Sequence, residues 1–451
     1  MKNLLFLLLA FHGPLLRAQN ILQEYISQGL ENNLALKQKE AGFRKSLEVL
    51  NEARSFFYPE ISVNTRYSVS EGGRVIGFPI GDLLNPVYTT LNQLTSSNEF
   101  HQVENQEFRF LRPTEHDTRL RLIQPVFNPD LYYNVRIKKE WAESEEINMD
   151  QYKRELVAEI KKAYYAVGMT RSLVDMLEQT RTLLQENVRV NERLVENDKV
   201  TRDNLYRSQT ELNRFDQQLL QAKVKKLTAV SYFNFLLNKP LTDSVIMELP
   251  PENPRLSGNQ DSYMKQAVDN REELKNLEQY GSISTLNIRM NRSSGLPNLM
   301  LVADYGFQGE KYQFNKNQDY IQASVVLNWK LFQGLQNRSK IREAMVQKEM
   351  IDEKLDEAKS RIELQVTDAF HQLNASEAGL VTSESQVKSA REGFRLVNRK
   401  YEAGQASLIE FIDARSAMTQ AEANFIISRY TYLSDFAEFE KVVALINPEK
   451  Q

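Results

Sequence analysis

The stretch from roughly Gln333 to Leu445 contains no proline, and a proline-free run of that length confines the chain to very long helices. Its obvious stop is Tyr401-Glu-Ala-Gly-Gln-Ala-Ser407. There Gly404 accepts the left-handed conformation that closes a helix, and Ser407 is placed to cap the next one. A second such stretch runs from about Tyr132 to Leu237 and turns at Glu196-Asn-Asp-Lys-Val-Thr201. Laid over each other, Thr201 matches Ser407, Leu205 matches Phe411, Leu212 matches Met418 and Tyr164 matches Phe370. Leu205, Leu212 and Leu219 carry coiled-coil spacing. The chain therefore predicts two helical hairpins, whose longer arms, at about 60 residues each, would reach roughly 90 Å.

What precedes each hairpin is also repeated. Ile21 to Phe57 reads as one helix, ending at Tyr58-Pro59. Beyond it Ile61, Val63, Thr65, Tyr67 and Val69 alternate with polar residues, a strand with one apolar face. Residues 74–115 hold Pro79, Gly81, Pro86 and a Thr-Ser-Ser-Asn run, and read as a long exposed loop. A second strand spans Asp117 to Val126, with Arg119 and Arg121 making its other face strongly basic. After the first hairpin, residues 240–260 read as a proline-containing linker or small side structure, an equatorial segment. Ser262 to Arg292 then reads as a helix, ending near Gly295-Leu-Pro297, so that Pro297 and Tyr305 correspond to Pro59 and Tyr67. Leu299 to Phe307 forms a third strand, Gln308 to Asp319 a short connection, and Ile321 to Leu331 a fourth. Tyr320 and Trp329 at its ends suit the aromatic girdle of a membrane barrel.

These readings divide the chain into residues 1–18, a secretory signal peptide with Lys2 ahead of the apolar Leu4 to Leu9 run; 19–239, a first repeat; 240–260, the linker; and 261–447, a second repeat. No later run approaches the ~20 apolar residues of a membrane helix, so any membrane span must be built from strands. Four strands cannot close, and an open sheet edge cannot sit in lipid with its backbone groups unsatisfied. Several copies must then pool their strands. A net charge of −3 argues against nucleic acid, and zero cysteines exclude thiolate metal sites and disulfides. The four histidines are scattered, and no phosphate loop or nucleophile–base motif appears, so neither enzyme chemistry nor a cofactor is expected.

The two-fold repeat, Tyr58-Pro59-Glu60 opening a strand, Gln124-Pro-Val-Phe-Asn128 opening the first rod, and Tyr401-x-x-Gly404-x-x-Ser407-x-x-x-Phe411-x-Asp413-Ala414 at the second turn resemble the TolC family of outer-membrane efflux proteins over essentially the whole mature length. The resemblance implies a mainly α fold with a membrane β-barrel. Its coiled-coil hairpins build an α-barrel in the periplasm, and four strands per protomer enter a shared 12-stranded trimeric barrel in outer-membrane lipid. It implies a homotrimer that exports what an inner-membrane pump passes on through a periplasmic adaptor. The alternative reading is an exported periplasmic coiled-coil scaffold or adaptor that does not span the membrane; the strand quartet and the second hairpin weigh against it.

Glu410 and Asp413 share a helix face and fall where the family places an acidic ring at the periplasmic mouth. Three copies would bring carboxylates together, attract cations and raise some of their pKa values. Taken alone, two acids near a helix start also fit an ordinary solvated N-terminus. The first turn departs from the pattern, with Asp198 in place of Gly404 and Asn204 in place of Glu410 as the third constriction residue. Asp198, Thr201, Gly404 and Ser407 mark the turns expected to meet an adaptor. Family members often carry a basic residue near Ala406 that locks the mouth, and this chain has alanine there.

Overall fold

The computed structural model describes residues 20–248 and 254–446; the expected signal peptide lies outside them. The described residues form two compact units, to which α2, α4, α7 and α8 each contribute. Among them, no helix is long and apolar enough to cross a membrane.

The first unit is helical and comprises the described residues up to Glu48, Lys138–Thr285 and Met345 onward. Its rods are α4 (Pro129–Glu196) and α8 (Gln336–Glu402), of 68 and 67 residues, with returning arms α5 (Arg202–Leu236) and α9 (Leu408–Val442) of 35 each. The two hairpins expected from the missing prolines are therefore present at matched lengths. Their cores are copies too. One gathers Tyr25, Leu36, Ile160, Val167, Phe233 and Leu237; the other places Tyr263, Leu274, Val366, Leu373, Phe439 and Val443 at the corresponding positions.

The two shorter helices expected as continuous are broken at the same place in each repeat. Asn33 separates α1 (Asn20–Asn32) from α2 (Leu34–Ser55), and Arg271 separates α6 (Gln260–Asn270) from α7 (Glu272–Ser293). The Asn33 side-chain oxygen accepts the Leu36 N–H at 3.0 Å, while its amide donates to the Leu236 carbonyl at 2.9 Å. An asparagine that competes for backbone groups ends one helix and starts another. Arg271, itself buried, instead donates to Gln365 of α8 and to Glu273. The described start of the expected linker, up to Glu248, is held by hydrogen bonds. The hydroxyls of Tyr25 and Tyr164 accept the N–H groups of Ile246 and Glu248, both at 3.1 Å.

The second unit comprises Val49–Ile137 and Leu286–Ala344. Its sheet is antiparallel in the order β1 (Glu60–Val69), β4 (Thr114–Phe127), β5 (Asn298–Gly309), β6 (Asp319–Asn328). β6 stops short of Trp329, whose indole N–H donates to the Gly295 carbonyl at 3.0 Å. The register lines up Val63, Leu120, Tyr305 and Ile321 across all four strands. On the opposite face the expected basic character is cancelled by pairing. Arg121 holds Asp304 with two bonds of 2.8 Å, Arg119 lies 3.4 Å from Asp117, and the Tyr320 hydroxyl donates to Asp117 at 3.0 Å.

Residues 74–115 are not a loop. They contain a ribbon of β2 (Val75–Phe78) and β3 (Gln106–Arg109), and a helix, α3 (Ile80–Thr95), with Pro86 inside it. Proline removes a helical hydrogen bond, and here tertiary contacts offset that loss. Asn85 exchanges bonds with both backbone groups of Val103 (3.0 and 2.8 Å), and Asn92 does the same with Phe100 (2.8 and 3.1 Å).

Candidate functional site

The two hairpin turns close by the same hydrogen bonds. In the first, Lys199 N–H donates to Leu194 O at 2.8 Å; in the second, Gln405 N–H donates to Lys400 O at 2.7 Å. Each is a six-to-one closure that requires a left-handed residue before its last donor. Asp198 supplies it with φ 52° and Gly404 with φ 71°. The departure noticed in the sequence, aspartate for glycine, therefore keeps the backbone path at a conformational cost.

The caps differ. Ser407 and Glu410 form a capping box in α9. The Ser407 Oγ accepts the Glu410 N–H at 3.3 Å, and the Glu410 carboxylate accepts the Ser407 N–H at 2.7 Å and its hydroxyl at 3.0 Å. These bonds, backbone first and side chain second, hold the Glu410 carboxyl below the usual carboxylate range within one protomer. Thr201 makes no such cap and turns its hydroxyl to the Asp203 side chain. Asn204, in the place of Glu410, is half-buried, while Glu410 and Asp413 are exposed.

Behind this surface Tyr401 and Phe411 of the turn motif pack with two residues that the sequence did not single out, Phe394 and Arg415. Phe411 stacks on Tyr401 with ring centroids 4.8 Å apart and meets Phe394 at 5.6 Å. Arg415 is buried one turn further on; its guanidinium lies 5.2 Å from the Phe394 ring centre and donates to Thr180 Oγ1 at 2.6 Å. Burial lowers its pKa. For Arg415 the sequence signal is an arginine four residues after Phe411, on the same helix face. Ala406 is half-buried and carries no charge. At the second turn, exposed Glu410 and Asp413 and the buried Phe411 and Arg415 therefore share the start of α9. Further along the rods, a groove of about 260 Å³ between α4, α5 and α9 is lined by Phe215, Arg214, Gln218 and Thr419 among others. Among the described residues, no three His, Cys, Asp or Glu side chains converge to hold a metal ion.

Comparison with known proteins agrees with this geometry. The family model described as outer membrane efflux protein matches residues 263–444. Outer membrane protein TolC of Salmonella enteritidis is 22% identical, with 100% of this chain and 87% of that protein covered. The alkaline protease secretion protein AprF of Pseudomonas aeruginosa is 22% identical over 70% of this chain and 67% of its own length. Among solved structures, the Campylobacter jejuni CmeC outer membrane channel superposes with TM-score 0.76 at 14% identity, covering 95% of this chain and 88% of that one. The relatives are channel and secretion proteins, not enzymes.

Proposed function

We propose that this chain, a member of the outer membrane efflux protein family, is one protomer of a homotrimeric conduit that carries substrates outward after an inner-membrane pump and a periplasmic adaptor have delivered them. The protein resides in the outer membrane, with its helical tunnel in the periplasm. The observation that carries the reading is the four-stranded sheet. Val63, Leu120, Tyr305 and Ile321, in register, are 71%, 47%, 48% and 83% exposed. Paired arginines and aspartates occupy the reverse face. An apolar row of that exposure is stable against lipid and costly against water. β1 and β6 are edges with unpaired backbone groups, which lipid does not tolerate. Pairing β1 of one copy with β6 of the next satisfies both edges, and three copies give twelve strands.

In this reading Glu410 and Asp413, with Asn204 from the other hairpin, line the narrow periplasmic mouth. The turns at Asp198, Thr201, Gly404 and Ser407 receive the adaptor, whose own coiled coil fits grooves between helix pairs. Acidic rings favour cations, so the closed channel should pass small cationic currents. The test is single-channel conductance in a planar bilayer, wild type against the Glu410→Ala, Asp413→Ala double variant. Wild-type openings that prefer cations, with the preference weakened or the opening widened in the variant, are the expected result. Unchanged selectivity would remove both residues from the constriction, and absence of conductance from well-folded trimer would overturn the conduit.

A further inference from the structure

The helix α3 holds the protein through polar side chains and leaves an apolar stripe uncovered. Its inward face carries Gly81, Asn85, Tyr88 and Asn92. Asn85 and Asn92 clamp the backbone of Val103 and Phe100, and Tyr88 meets the Phe100 ring with centroids 6.0 Å apart. Gly81 is buried, and a side chain there would strike the Val103 carbonyl. The opposite face, at the i, i+4, i+7, i+11 spacing of one helix stripe, consists of Leu83, Val87, Thr90 and Leu94. Leu83, Val87 and Leu94 are 70%, 52% and 77% exposed. Leu84 and Leu91 are half-buried beside the asparagines, whereas the Leu83–Val87–Leu94 stripe lies open where an ordinary surface helix carries polar residues.

The ribbon that carries α3 continues the β1–β4 pair. Ser70 N–H donates to Pro113 O and Phe110 N–H to Arg74 O, both at 2.9 Å, on either side of Gly72 and Gly73. The insertion therefore leaves from β1, an edge strand, at the end of the sheet away from the α2 connection. In the proposed shared barrel, on which this inference rests, that edge meets the next copy. We infer that the Leu83–Val87–Leu94 face of α3 docks against the neighbouring copy of this chain, clasping protomers together beyond the outer end of the barrel. Two observations favour a second copy over the outer leaflet. The helix contains no lysine or arginine and one acid, Asp82, whereas a helix resting on anionic headgroups is rich in cations. Its position is also continuous with the edge that pairs between copies.

The test uses the full-length trimer in outer membranes, with a photo-crosslinking amino acid in place of Leu83 or Leu94 and, as control, in place of the exposed Thr89 on another side of α3. Covalent adducts of two chains from positions 83 and 94 but not 89 are the expected result. Adducts to lipopolysaccharide or phospholipid, adducts equal at all three positions, or none from an intact trimer would overturn the inference. The native mass of each variant before irradiation separates this from failure of the trimer itself. A Leu83→Asp, Leu94→Asp variant should still trimerise but dissociate at lower temperature; an unchanged dissociation temperature also overturns the inference.

Discussion

The ring of Tyr25 meets the ring of Phe233 edge to face, with centroids 5.0 Å apart and planes at 89°. Tyr263 and Phe439 repeat the contact in the second half, at 4.9 Å and 86°. Each pair joins the first helix of its repeat to the returning arm of its hairpin, so each repeat has the same anchor. Phe233 and Phe439 are both fully buried.

Truncating either anchor should leave a cavity that long, stiff helices close poorly. Phe233→Ala and Phe439→Ala are each expected to destabilise the protein by about 3–5 kcal/mol. Denaturant unfolding of the detergent-solubilised protein checks this. A loss below about 1 kcal/mol for either would mean that the repeat is held elsewhere.

Arg154 ties three helices together. From α4 it donates to the Lys441 carbonyl in the last turn of α9, to Glu272 at 2.5 Å and to Glu273 at 3.3 Å in the first turn of α7. Cation at a helix C-terminus and acids at an N-terminus are both favoured by the helix dipoles. Arg154 is 2% exposed, and replacing it by methionine leaves Glu272 without its partner and Glu273 with Arg271 alone, which should cost roughly 3–5 kcal/mol. Arg154→Lys keeps the charge but loses the planar fork, and an intermediate loss is expected in the same unfolding measurement.

Glu273 gives the region a pH dependence. Burial pushes its carboxyl up, but the Arg271 bond and charge more than offset this and hold it below the usual range. A lowered folded-state pKa contributes stability above the unfolded value, about 4.3, which is lost as pH falls through the folded value. Glu273→Gln should therefore be less stable than wild type at neutral pH and equal to it in strong acid. Parallel unfolding curves at neutral pH and at about pH 2.5 test the sign; a gap that widens in acid would contradict it.

The turns offer a paired test. Asp198 holds φ 52° where Gly404 holds φ 71°. A left-handed non-glycine residue costs about 1–2 kcal/mol, so Asp198→Gly should slow hydrogen exchange at the first turn and Gly404→Asp should speed it at the second. Ser407→Ala removes the α9 cap at a cost of about 1 kcal/mol. It should also raise the Glu410 pKa toward the ordinary carboxylate value, because the Ser407 hydroxyl bond that lowers it is gone. Carboxyl NMR shifts across a pH series report that change.

How much of this was legible beforehand follows from how far apart the deciding residues lie. Rods, turns and strand faces are written in spacings of a few residues. Absent prolines, Gly404, Ser407, and the alternation from Ile61 to Val69 specify them through local hydrogen bonds and periodicity, and the duplicated turns point to the two-fold repeat. The break at Arg271 is not legible, because its side chain is held by Gln365 of another helix; at Asn33 the local cap of Leu36 is legible in type, but the Leu236 carbonyl that fixes the amide is not. The helix α3 is not legible because Pro79 and Pro86 read as loop, while the bonds that hold it join Asn85 and Asn92 to a returning segment. Arg119 and Arg121 looked like an unpaired basic face until strand register brought Asp304, from the other half of the chain, beside them. Local patterning determines which elements form; only the folded register decides which charges meet and which apolar faces stay uncovered, because those pairings join residues that no short window contains.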